Sequence, residues 1–165
     1  MRHSIVRDGI VAGLLGATAV AVWFLGIDLI YAHAFATPAA LGRGLLRLFG
    51  PPGMEGTTAF VIGYTIFHYA AFIGVGLLVS VIVHWAQTQP AVLAGAMMLF
   101  VAFEIGFYAL SAALQESPFL GTLGWAQVAS GNLIAALVMG GYMWRTHPEL
   151  KGELNFALGG TETRM

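Results

Sequence analysis

The chain of 165 residues contains no cysteine, which excludes disulfides, thiolate metal sites and thiol redox chemistry. Charge is nearly as scarce: Asp, Glu, Lys and Arg together make up 9% of the residues, and the formal net charge is −1. No cluster of Lys and Arg is present to neutralise phosphates, so nucleic acid is not an expected partner. Catalytic signatures are missing too. There is no His-Glu-x-x-His, no second histidine four residues from the first, no Gly-x-Ser-x-Gly elbow and no phosphate loop. The chain therefore reads as a non-enzyme, with no catalytic residue and no metal site expected.

What the sequence does have is apolar length. Hydrophobic residues make up 58% and the mean hydropathy is +0.81, well outside the range of ordinary soluble domains. Four long apolar runs lie at about 9–31, 58–85, 91–114 and 121–144. Each is long enough, as a helix, to cross a hydrocarbon core of about 30 Å. The connections at Gln87–Pro90 and Glu116–Leu120 are short, which makes successive helices antiparallel neighbours. The predicted fold is all-α: an antiparallel bundle of four transmembrane helices in one integral membrane domain, residues 1–165, with a polar tail at 145–165.

The first run raises a competing reading, because Ala32-His33-Ala34-Phe35-Ala36 offers small residues at the spacing of a signal-peptidase site. The run is too long for a signal-peptide apolar region and ends in an acid, Asp28, so a retained span is expected. Gly13, Ala17 and Ala21 recur every four residues and form a face on which helices approach closely. Asp28 lies on the same face and is expected to point into the bundle. In the fourth run, Ala129, Asn132, Ala136 and Gly140 form a similar close-packing face.

Between the first two spans lies the one long connection. Thr37 is placed to act as N-cap with Pro38 at the first helical position, and Gly50-Pro51-Pro52-Gly53 is a stop signal. Within 38–49, Leu41, Leu45 and Leu48 share a face, while Arg43 and Arg47 share another. This predicts a short amphipathic helix in the membrane interface, with Arg43 and Arg47 at the headgroups. Four spans put both termini on one side with Arg2, Arg7, Arg145, Lys151 and Arg164; the other side holds Arg43 and Arg47. For a protein of a cell's inner membrane, the positive-inside rule then predicts both termini in the cytoplasm.

The succession Trp23…Asp28, Thr37-Pro38, Tyr64…Phe67-His68, Phe103-Glu104, Gly131-Asn132 and Arg145…His147-Pro148 resembles a set of small bacterial four-helix integral membrane proteins. The resemblance covers most of the chain. It implies four spans and implies no activity.

Functional chemistry is expected from polar residues inside the apolar runs. The third run, Ala91–Leu114, carries Glu104 near its middle. A carboxylate at that depth costs about 3 kcal/mol on insertion scales and should face protein or water. Helical rise brings His68, Glu104 and Asn132 within roughly 5 Å of one level. Asp28, Tyr64, Tyr108 and Gln127 fall about 8–12 Å from the midplane, toward the outer side. Glu104 and His68 are expected to meet, with Asn132 close enough to bridge them.

Three functional readings follow. The first is an accessory or assembly subunit of a larger membrane complex, of the energy-transducing (respiratory or photosynthetic) kind, its partners being lipids and other membrane subunits or further copies of itself. It needs no cofactor. The second takes His68 as an axial ligand or hydrogen-bonding group for a haem, another tetrapyrrole such as a chlorophyll-type pigment, or a quinone. Two-histidine haem ligation is disfavoured, because His33 and His84 fall near opposite interfaces. The third is passage of protons or small solutes through Glu104, His68 and Asp28, although the unbroken runs lack the discontinuous helices of secondary transporters.

Overall fold

A computed structural model describes residues 4–50, 53, 55–86, 89, 91–92, 95–96, 98, 101, 105 and 124–148, with backbone alone at Leu48 and Trp125. Helices whose bounds fall within the described residues are α1 (Ile5–Ile30), α2 (Ala36–Phe49), α3 (Thr57–Ala86) and α4 (Trp125–Thr146). No strand occurs among the described residues, and the all-α class stands. By length and composition, α1 and α3 are each able to cross a membrane. In the third apolar run the described residues, among them Ala91, Met98, Val101 and Ile105, are helical. Glu104, Tyr108 and the tail beyond Pro148 lie outside the described residues.

Helix α1 starts where Ser4 Oγ accepts from the Arg7 N–H at 3.5 Å, with Asp8 in the first turn against the positive end of the helix dipole. From there α1 acts as the central post. Its Gly9–Gly13 stripe meets α3 so closely that a Cβ at Gly13 would fall against the Phe72 and Ile73 backbone. A Cβ at Gly76 of α3 would strike the Gly9 carbonyl and the Gly13 backbone. On another side of α1, a Cβ at Gly16 would lie 2.7 Å from the Met139 sulfur of α4. Buried Ala12, Val83, Ala86, Met139 and Met143 form the core, with Phe72, Val79 and Tyr142 packed against it.

Both long partners run antiparallel to α1. Gly9 and Gly13 face Leu77 and Phe72 in turn, and Thr18 reaches Tyr69. Asp8, at the start of α1, meets Tyr142 near the end of α4, while Trp23 Nε1 donates to the Gln127 carbonyl at 3.2 Å. α2 packs on the first turns of α3: Gly42 lies against the Phe60 backbone and the Arg43 guanidinium sits 5.6 Å from the Phe60 ring centre.

Three local expectations need correction. Gly13 and Ala17 are buried, but Ala21 is exposed, because beyond Ala17 the helices part and leave a cleft. In α4 the packed row is Gly131, Ala135, Met139 and Met143, whereas Ala136 and Gly140 are exposed. Small size alone suggested the other row; the flexible methionines fill the hollow beside Gly16, and volume complementarity decides. Thr37 is not the N-cap of α2. Phe35 occupies that position in the left-handed region (φ 64°) without a side-chain cap bond. Asp28 caps the helix from outside, its Oδ2 accepting from the Thr37 N–H at 2.9 Å.

Candidate functional site

The residues that place polar chemistry within the apolar helices gather along one side of α1. Asp28, 5% exposed, accepts two hydrogen bonds from Thr37: the backbone N–H at 2.9 Å and the hydroxyl at 2.6 Å. A carboxylate has two oxygens and a charge matched to the helix N-terminus, so it satisfies both donors and opposes the α2 dipole. This contact closes the α1–α2 corner.

One level deeper, His68 of α3 lies 8% exposed with Nε2 at 3.0 Å from the Ala17 carbonyl oxygen. A carbonyl only accepts, so Nε2 carries the proton and donates. That nitrogen is then committed to α1, and its lone pair is not offered to an axial metal in this arrangement. The imidazole is further bracketed by Tyr64, Tyr69 and Phe72, with ring centres 5.6, 5.8 and 4.7 Å away. Beside it, Thr18 donates to the Leu14 carbonyl at 2.8 Å and sits 3.1 Å from the Tyr69 hydroxyl. The single threonine proton being used, the Tyr69 hydroxyl is the donor to Thr18.

These groups border a cleft of about 220 Å³ between α1, α3 and the start of α2. Its walls are largely apolar, with Phe24, Leu25, Phe35 and Val61 among them, and Asp28, Tyr64 and His68 also line it. Three of the sequence-derived residues, Asp28, Tyr64 and His68, thus converge on one feature. Asn132, half-buried on α4, is not among the lining residues. Glu104 and Tyr108 fall outside the described residues, and the partner seen for His68 is the Ala17 carbonyl. Arg43 and Arg47 are exposed on α2, Arg43 stacked over Phe60. Among the described residues, no group of three His, Asp or Glu side chains is placed to hold a metal ion.

Sequence reasoning missed a second polar cluster at the opposite end of α1. Asp8, 6% exposed, accepts from the Tyr142 hydroxyl at 3.4 Å and faces His147 Nε2 at 3.7 Å. His147, 5% exposed, has its Nδ1 at 3.0 Å from the Thr146 hydroxyl. Four-residue spacing was the available signal: Asp8, Ala12 and Gly16 on α1, and Met139, Met143 and His147 on the α4 side, are continuous buried rows. Asp8→Ala is expected to lower stability in detergent by about 1–2 kcal/mol, near the upper end for interhelical polar contacts in membranes. Tyr142→Phe should cost less, about 0.5–1 kcal/mol. Unfolding midpoints indistinguishable from wild type in both would remove the cluster from the α1–α4 contact.

Comparison with protein-family models, curated proteins and solved structures finds no match for this chain.

Proposed function

We propose that the chain is a multi-pass membrane protein of four spans that serves as a non-enzymatic accessory or assembly subunit of a larger membrane complex. One observation carries the reading: the helices are apolar on the outside and small or polar on the inside. The buried positions of α1 are Asp8, Gly9, Ala12, Gly13, Gly16, Ala17, Val20 and Asp28, while Val22, Ile66 and Leu78 turn outward at 63%, 67% and 58% exposure. Only 28% and 22% of the most apolar 18-residue windows of α1 and α3 are buried within the chain. A helix apolar all round and yet uncovered by its own fold requires lipid or another subunit as its solvent.

Topology and charge support the same reading. Because α3 and α4 both run antiparallel to α1, the end of α3 and the start of α4 lie at opposite ends of the bundle. Arg7 and Arg145 belong to the Asp8–His147 end and Arg43 and Arg47 to the Asp28–Thr37 end; the preference for cytoplasmic termini comes from Arg2, Lys151 and Arg164 of the sequence, which add to the first end. The subunit role is supported by what the polar residues do: Asp28 and His68 are engaged by Thr37 and Ala17, contacts that set helix register.

Two measurements test this reading. Topology reporters fused after Gly53 and after Met165 should report opposite sides of the membrane; the same side for both would end the four-span reading. Purification in mild detergent should yield membrane subunits in fixed stoichiometry. A pigment spectrum at one chromophore per chain, without partners, would replace the subunit role by cofactor binding.

A further inference from the structure

We infer that the cleft between α1, α3 and the start of α2 is a binding site for a lipid-phase amphiphile bearing a carbonyl group, with the Tyr64 hydroxyl as hydrogen-bond donor to that carbonyl. The inference rests on the membrane placement proposed above and is independent of the subunit role.

The inventory of donors identifies Tyr64. The Thr37 hydroxyl and N–H go to Asp28, the His68 Nε2–H to Ala17, the Thr18 hydroxyl to Leu14 and the Thr65 hydroxyl to Val61 at 2.7 Å. The Tyr69 hydroxyl, by the proton count above, goes to Thr18. Tyr64 is half-buried and lines the cleft, its ring packs against His68, and its hydroxyl has no hydrogen-bond partner among the described residues. A phenol in an apolar cleft with no acceptor among the described residues is an unmet donor, and such a donor away from water is disfavoured.

Size and position narrow the class. At about 220 Å³ the cleft is smaller than the roughly 300–1,000 Å³ of drug-sized pockets, so it takes a single ring or a short length of chain. It extends along α1 from Thr18 to Asp28, about 15 Å of helix ending at the α2 corner. That is the depth range of one leaflet, between its middle and its interface. Phe24, Leu25 and Val61 provide flat and branched apolar walls for the body of the molecule. The charged Asp28 is already satisfied by Thr37, so a cation is not called for. An isoprenoid quinone ring and the ester region of an acyl lipid share the required chemistry: a carbonyl acceptor on an apolar tail.

The test uses the full chain in nanodiscs, with Tyr64→Phe to remove only the hydroxyl and Ala21→Trp to place an indole in the cleft. Ala21 is exposed and lines the cleft, so this substitution leaves the packed α1–α3 crossing alone. One arm titrates a decyl-substituted benzoquinone and follows quenching of the intrinsic fluorescence. The other compares lipids retained by native mass spectrometry from diester and diether phosphatidylcholine. Saturable quinone binding, weakened about two- to tenfold by Tyr64→Phe and lost in Ala21→Trp, supports the site with a quinone as occupant. Retention of diester over diether lipid that disappears in Tyr64→Phe supports it with an ester as occupant. If neither arm responds to either substitution in chains that insert normally, the site is refuted and the membrane reading survives. A chain that does not insert refutes both.

Discussion

Gly76→Leu should separate α1 from α3 and destabilise the protein by about 3 kcal/mol or more, the upper range for overpacking. The reason is geometric. The atoms that any Cβ at this position would meet are the Gly9 carbonyl and the Gly13 N and Cα, all backbone. No side-chain rotation relieves such a contact; the helices have to move apart. Separation would also weaken the His68–Ala17 hydrogen bond, one to two turns further along the same interface. Gly74 provides the control, since a Cβ there meets nothing within 4 Å. Gly74→Leu should be neutral or stabilising, as leucine exceeds glycine in helix propensity by about 0.8 kcal/mol. Equilibrium unfolding in mixed micelles measures both. Equal midpoints for the two variants would mean that α1 and α3 do not cross at Gly9, Gly13 and Gly76.

Asp28→Ala is expected to release the start of α2 and to cost about 2–3 kcal/mol, because two buried donors on Thr37 lose a charged acceptor together. Apart from this contact the corner is held by backbone bonds, His33 N–H to the Asp28 carbonyl at 2.9 Å and Ala36 N–H to the His33 carbonyl at 3.0 Å. Phe35, at the N-cap, contributes no side-chain cap and sits at a φ of 64°, a conformation that costs a non-glycine residue about 1–2 kcal/mol. Asp28→Asn retains one accepting oxygen and should recover roughly half the loss. Thr37→Val removes the hydroxyl bond while leaving the N–H bond, for about 1 kcal/mol. Amide hydrogen exchange across residues 36–40 localises the effect, and exchange there should accelerate most in Asp28→Ala. A double-mutant cycle of Asp28→Ala with Thr37→Val should show coupling of about 1 kcal/mol. Additive effects would sink the capping role.

The apolar runs at 9–31 and 58–85 were legible because composition alone makes a long helix: nothing interrupts them, and α1 and α3 match them within a few residues at either end. The helix at 38–49 was equally legible from its stop signal and its two arginines, and α2 adds two residues at its start. Its cap was not, since an acid nine residues upstream does the work that local capping rules assign to Thr37. Likewise Asp28, Tyr64 and His68 could be named as intramembrane polar groups from sequence, but depth counting matches levels without matching azimuths. It paired His68 with Glu104, which lies outside the described residues; the partner that Nε2 does show is a backbone carbonyl, that of Ala17, which carries no mark in the sequence.

What the sequence by itself determined is the course of α1 and α3, with the membrane as their expected solvent, because these depend on the summed apolar character of each run. Only the tertiary structure decided which faces meet. Around α1 and α3 the lipid-facing and packed sides are both largely apolar, so hydrophobic periodicity, which tells inside from outside in a soluble protein, carries little of that information. The choice passes to shape: backbone against backbone at Gly9, Gly13 and Gly76, methionine against glycine at Met139 and Gly16, and Asp8 reaching across the chain to Tyr142 and His147. Shape complementarity belongs to pairs of surfaces, and one-dimensional order does not specify the pair.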